Sequence, residues 1–183
     1  MISTGFSSHD PLRMKILVTG NAGAGKSTLA VSLGQALNLQ TFSLDSIVWQ
    51  ERWRKTPTKV RDARIAELIA NDSWVIDGVS SAALHAADVV VFLDVPRWKC
   101  LLRAMKRNSR YLFSSRPELP NHCPEILIVP TLLRIIWRFD SRVRPMILLE
   151  KQRRVDQPGS FVHVGSHFDF DVVHASLVAG NGS

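Results

Sequence analysis

The chain has 183 residues, 45% of them hydrophobic and 21% charged, which suits one folded domain with a buried core. No apolar run reaches the ~18 residues of a membrane span, and residues 1–13 have neither the basic start nor the apolar stretch of a secretory signal. The formal charge is +7, and residues 97–154 carry it, with fourteen Lys/Arg against four acids.

Residues 1–13 read as a flexible extension before a domain at 14–178, with a flexible tail at 179–183. MKILVT (14–19) is a continuous apolar run of buried-strand type. STLAVSLGQAL (27–37) sets Leu29, Leu33 and Leu37 on one helical stripe, with Asn38 as its C-terminal cap. QTFSLD (40–45) reads as a second strand ending at Asp45. After a Trp-rich connector, a helix runs from about Lys59 to Ala70 with Val60, Ile65, Leu68 and Ile69 inward. SWVID (73–77) and DVVVFLD (88–94) are the third and fourth strands, separated by a short helical turn at AALHAA.

Pro96 opens the next helix, where its missing N–H costs nothing. Four prolines between residues 111 and 130 predict an irregular loop. TLLRIIWRFDS resumes as helix until Pro145, and SFVHVG (160–165) is the fifth strand, followed by a short helix near 168–178. Strand alternating with helix predicts an α/β fold, a parallel sheet with helices on both faces.

Between the first strand and its helix stands GNAGAGKST, residues 20–28. Gly20, Gly23, Gly25, Lys26 and Ser27 fit G-x-x-x-x-G-K-[ST] without a gap. Such glycines let successive N–H groups aim inward as an anion nest, and the helix start adds its positive end. The stretch Gly20, Asn21, Ala22, Gly23, Ala24, Gly25, Lys26, Ser27 and Thr28 is therefore the candidate cradle for the phosphates of ATP. Lys26 would reach the β- and γ-phosphates, and Ser27 would ligate Mg²⁺.

Magnesium usually takes a carboxylate at a neighbouring strand end. Asp45, Asp77 and Asp94 all end predicted strands, at the sheet edge where ligands bind. Asp77, followed by Gly78, is assigned to the metal. Asp45 is assigned to substrate binding or proton acceptance, and Asp94 reads as a helix cap.

SWVIDG followed by DVVVFLDVPRWKCLLRAMKR resembles the adenylate-kinase-like P-loop phosphotransferases. With LDSIVW, RPELPNHCPE and WRFDSRVRP added, the resemblance narrows to a branch labelled DNA topology modulation protein and runs from about Met14 to Val173. It implies a three-layer P-loop NTPase fold with a five-stranded parallel sheet and a lid, about residues 108–130, between strands 4 and 5. It also implies that Arg103 and Arg107 lie against ATP, and that Arg142 and Arg144 stand where arginines follow the lid. Arginine suits that work because its planar fork binds phosphate oxygens bidentately and never deprotonates. Gly165 and Ser166 fall where the family's loop touches adenine.

The acceptor side departs from the pattern. Adenylate kinases follow Asp-Gly with an arginine for the acceptor phosphate, but this chain reads Val79-Ser80-Ser81. Among the blander readings, Trp74, Trp98 and Trp137 are taken as packing aromatics and Trp49 as a pocket wall. His163 is taken as a buried, hydrogen-bonded strand residue, and Lys151, Arg153 and Arg154 as a solvated run. Cys100 and Cys123 lack paired spacing, and no Cys/His pair follows His122–Cys123 at zinc distance, so a reducing cytoplasm is expected.

The expected activity is a small-molecule kinase moving the γ-phosphoryl of ATP to an unidentified acceptor. The alternative is a nucleic-acid-associated ATPase. It is less favoured because a phosphate-clamping lid already accounts for the arginines and no nucleic-acid-binding motif is present. No membrane partner is expected, and the sequence leaves the oligomeric state open.

Overall fold

The computed structural model describes residues 13–51, 54–110, 125–157, 159–165 and 173. Five strands form one parallel sheet: β1 (Lys15–Gly20), β2 (Thr41–Ser43), β5 (Trp74–Asp77), β6 (Val89–Leu93) and β7 (Phe161–Val164), in the order β2-β5-β1-β6-β7. Two-residue strands β3 (Trp49–Gln50) and β4 (Arg54–Lys55) pair antiparallel outside that sheet, in the Trp-rich connector. The helices are α1 (Lys26–Leu37), α2 (Leu44–Val48), α3 (Thr58–Ala70), α4 (Ser81–Ala86), α5 (Arg97–Arg110), α6 (Glu125–Arg142) and α7 (Arg144–Arg153).

The apolar runs become the three inner strands because each is covered on both faces. Successive residues point to opposite sides. Ile16, Val18, Val75 and Val91 therefore pack with Leu29, Leu33, Cys100, Ala104 and Ile136 on the side of α1, α5 and α6. Leu17, Trp74, Ile76 and Val90 pack with Leu44, Ile65 and Leu84 on the side of α2, α3 and α4. Phe92, Phe139 and Ile147 seat α7. Asn38 ends α1 in the left-handed region at φ 53°, and the following N–H of Leu39 bonds Gly34 O at 2.8 Å, as its capping role required.

Some boundaries differ from expectation. β2 stops at Ser43, and Asp45 sits instead in the first turn of α2, where a carboxylate meets the positive helix end. Val60 is exposed, because the buried face of α3 runs through Ile65 and not through its first turn. The irregular loop expected at 111–130 gives way to helix from Glu125, with Pro130 inside α6. Residues 111–124, which hold the rest of the expected lid with His122 and Cys123, lie outside the described residues. So do 1–12, Ser166 and, apart from Val173, the short helix expected near 168–178.

Candidate active site

β1 is the point where the chain turns from one half of the sheet to the other, and ligands in such sheets bind beyond the strand ends at that crevice. Here the register puts Val18 beside Asp77 and Gly20 beside Leu93. The loop after β1 thus rises between Asp77 on one side and Asp94 on the other.

The loop has the shape the glycines imply. Gly23 holds φ 82°, and a Cβ there would strike the Cys100 carbonyl of α5. Gly25 holds φ 104° at the N-cap of α1, a conformation side chains rarely adopt. Lys26 Nζ donates back to Asn21 O at 3.0 Å, spanning the loop. Asn21 is 2% exposed, and its side chain braces the loop. Its Oδ1 accepts from Ala22 N at 2.8 Å and its Nδ2 donates to Ile136 O at 3.1 Å, pinning the loop to α6. Arg103 Nη1 donates to Ala24 O at 3.1 Å, so this arginine of α5 lies against the loop after β1. Arg107 belongs to α5, but its side chain lies outside the described residues.

Ser27 and Asp77 come together although fifty positions apart, the Ser27 hydroxyl donating to Asp77 Oδ2. Asp77 is 4% exposed, and its Oδ1 has no hydrogen-bond partner among the described residues. A buried carboxylate oxygen with nothing to bond, beside a hydroxyl, is a donor set that fits a hard divalent cation such as Mg²⁺. Gly78, at φ 140°, packs closely on α2: a Cβ there would sit 2.7 Å from Leu44 Cβ.

Asp94 is a counter-ion, not a helix cap. Arg144 grips it with both arms of its guanidinium, Nε on Oδ1 at 3.2 Å and Nη2 on Oδ2 at 2.9 Å. His163 Nε2 lies 3.0 Å from the same Oδ2, and His163 Nδ1 lies 3.0 Å from Lys151 Nζ. The Arg144 hydrogen bonds hold the Asp94 carboxyl below its ordinary range against the opposing effect of partial burial, and the same pairing raises Arg144. His163 is thus hydrogen-bonded but exposed, and Lys151 is its partner. Arg142 is exposed in the last turn of α6. Asp45 is exposed on α2, one strand over from Asp77 through the Ser43–Asp77 pairing.

Three arrangements escaped the sequence reading. Asn21 was counted only as cradle backbone. Arg154, read as solvated, is 9% exposed at its side chain and bonds Glu150 Oε1 at 2.8 Å, together with the carbonyls of Leu84 and Asp88. Trp98 and Trp137, read as packed, are 60% and 71% exposed. Cys100 is buried and donates to Val95 O, and burial pushes its thiol up despite Lys26 and Arg103 nearby.

No protein-family model matches the sequence, and neither does any curated protein. Solved structures do match in shape. The shikimate kinase of Bacteroides thetaiotaomicron is 18% identical with a TM-score of 0.54, over 91% of this chain and 95% of that one. That of Acinetobacter baumannii, solved with shikimate, is 18% identical with a TM-score of 0.53, over 94% and 96%. That of Aquifex aeolicus gives 18% and 0.50, over 92% and 97%. At such identity the likeness speaks to fold: this chain has the three-layer α/β fold of the P-loop kinases, with its five-stranded parallel sheet.

Proposed function

We propose that the chain transfers the γ-phosphoryl group of ATP to a small-molecule acceptor. The observation that carries this reading is the paired Ser27–Asp77 site, with one orphaned carboxylate oxygen, at the mouth of a glycine cradle closed by Lys26. The bond from the γ-phosphorus to the bridging oxygen of ADP breaks as a bond to the acceptor oxygen forms. Little covalent chemistry falls to the protein, whose work is positioning and charge stabilisation.

In this reading the loop N–H groups and Lys26 hold the β- and γ-phosphates, and Arg103, Arg107 and Arg142 meet the charge that builds during transfer. Ser27 and Asp77 would hold Mg²⁺, which when bound neutralises phosphate oxygens. Asp45 takes the acceptor's proton. Arg144 is committed to Asp94, so it joins the phosphates only by leaving that carboxylate.

A pocket of about 470 Å³ lies between β2, α2 and α3, lined by Phe42, Ser43, Ile47, Arg64 and Glu67 among others. It supports an acceptor that is small and mixed in polarity. The shikimate held by one structural neighbour belongs to the same chemical class, a small hydroxylated acid. The missing arginine after Gly78 argues against a nucleoside monophosphate. The motif resemblance to the topology-modulation branch remains part of the proposal as ancestry, and we place the reaction in the cytoplasm.

The test is ADP release from ATP·Mg²⁺ across hydroxy acids, sugars, nucleosides and nucleoside monophosphates. One class should stimulate release stoichiometrically with its own phosphorylation, and Lys26→Ala should abolish it. ADP release that every acceptor leaves unchanged, but that DNA stimulates, would favour the nucleic-acid-associated ATPase.

A further inference from the structure

The outer flank of α5 is apolar where a solvated helix is ordinarily polar. Trp98, Leu102 and Met105 follow one another at helical spacing on a single stripe, each more than half exposed. α6 packs beside α5 and adds Leu133 and Trp137, four residues apart and also exposed. Arg97 ties the two stripes together. Its Nε lies 2.8 Å from Asp140 and its guanidinium sits 4.9 Å from the centre of the Trp137 ring, while Trp98 is its chain neighbour.

The surround is cationic. Besides Arg103 and Arg107, which the proposed reaction assigns to the nucleotide side, α5 carries Arg97, Lys99, Lys106 and Arg110, and no acid. On α6, Arg134 and Arg138 are exposed, and the exposed Asp140 is already neutralised by Arg97. Arg103 reaches the phosphate loop from another flank of α5, so the stripe and the nucleotide cradle use different sides of one helix.

We propose that this face of α5 and α6 rests on an anionic phospholipid surface. Trp98, Leu102, Met105, Leu133 and Trp137 enter the boundary between headgroups and acyl chains, and the flanking lysines and arginines meet lipid phosphates. A second copy of the same face would set like charge against like. A nucleic acid would match the charge and stack on the tryptophans, but it gives exposed leucine and methionine nothing to do. A lipid surface uses both, since tryptophan favours the interface and aliphatic side chains the acyl region. The expectation of no membrane partner rested on the lack of a spanning run, and surface docking needs none.

Co-sedimentation of the full chain with vesicles tests this, comparing phosphatidylcholine alone with phosphatidylcholine plus phosphatidylglycerol. The protein should pellet only with the anionic vesicles and be released by added salt. Arg134→Gln should weaken partitioning about fivefold, the usual effect of one basic side chain near such a surface. Trp98→Ala with Leu102→Ala should abolish pelleting while ATP binding, which reports the fold, stays at the wild-type level. Failure to pellet, or pelleting that the double substitution leaves intact, overturns the proposal. DNA retention lost with the same double substitution, without vesicle binding, would make the face a nucleic-acid surface instead. A dimer dissolved by that substitution would make it an interface between copies.

Discussion

Replacing Gly23 by alanine tests the cradle at its tightest point. Its φ of 82° lies where an L side chain is strained, and the new Cβ would meet the carbonyl of Cys100 on α5, a residue with no exposed surface. The conformational strain costs about 1–2 kcal/mol. Overpacking against a helix backbone that cannot swing aside adds about 1–3 kcal/mol. The sum, about 2–5 kcal/mol, should lower the melting midpoint of a chain this long by roughly 5–15 °C.

Gly165→Ala is the control, because none of the described residues lies within 4 Å of its Cβ position. It should change stability by less than about 0.5 kcal/mol. Differential scanning calorimetry compares the two, and titration calorimetry then asks whether the folded fraction of Gly23→Ala binds ATP. Displaced loop amides should weaken binding by about tenfold or more, equivalent to ~1.4 kcal/mol. Equal melting of the two variants would refute the steric reasoning. A destabilised Gly23→Ala with wild-type affinity would show that the phosphates are held elsewhere.

Asp77→Asn should leave the metal-free melting temperature unchanged or raised, since it removes a buried charge with an unbonded oxygen. It should also erase the thermal stabilisation that Mg²⁺·ATP gives over ATP alone, and persistence of that increment would move the metal to another carboxylate. Arg154→Met leaves the buried Glu150 with only the more distant Arg153 and His85, so chemical denaturation should show a loss of about 1.5–3 kcal/mol, the scale of a charged hydrogen bond. A loss of only about 0.5 kcal/mol, the scale of a surface substitution, would contradict that pairing. The Asp94–Arg144 pair sets an acid limit. Because folding depresses the Asp94 carboxyl, its contribution is complete above the unfolded value of about 3.9 and is lost as pH falls through the folded one. Urea midpoints between neutral pH and pH ~3 should therefore fall more steeply for the wild type than for Asp94→Asn, and parallel slopes would deny the coupling.

The alternation of short apolar runs with helical stripes already specified a layered α/β fold, because a strand covered on both faces must be apolar throughout. The P-loop was equally legible, since its glycines act through backbone conformations set within a few residues. Asn38 belongs with them as a local cap.

What depends on partners far along the chain was not legible. Ser27 and Asp77, which β1–β5 pairing brings into contact, were already both assigned to the metal from the sequence, whereas the capture of Asp94 by Arg144 follows from where α7 begins against the end of β6. The same holds for Arg154, which a local reading leaves in solvent and the fold buries beside Glu150. It holds in reverse for Trp98 and Trp137, whose composition suggested burial and whose helix faces point outward. Sequence fixes a residue's chemistry and its local backbone. Whether a side chain meets water, a counter-ion or a neighbouring helix depends on strand order and helix rotation, which only the packed sheet decides.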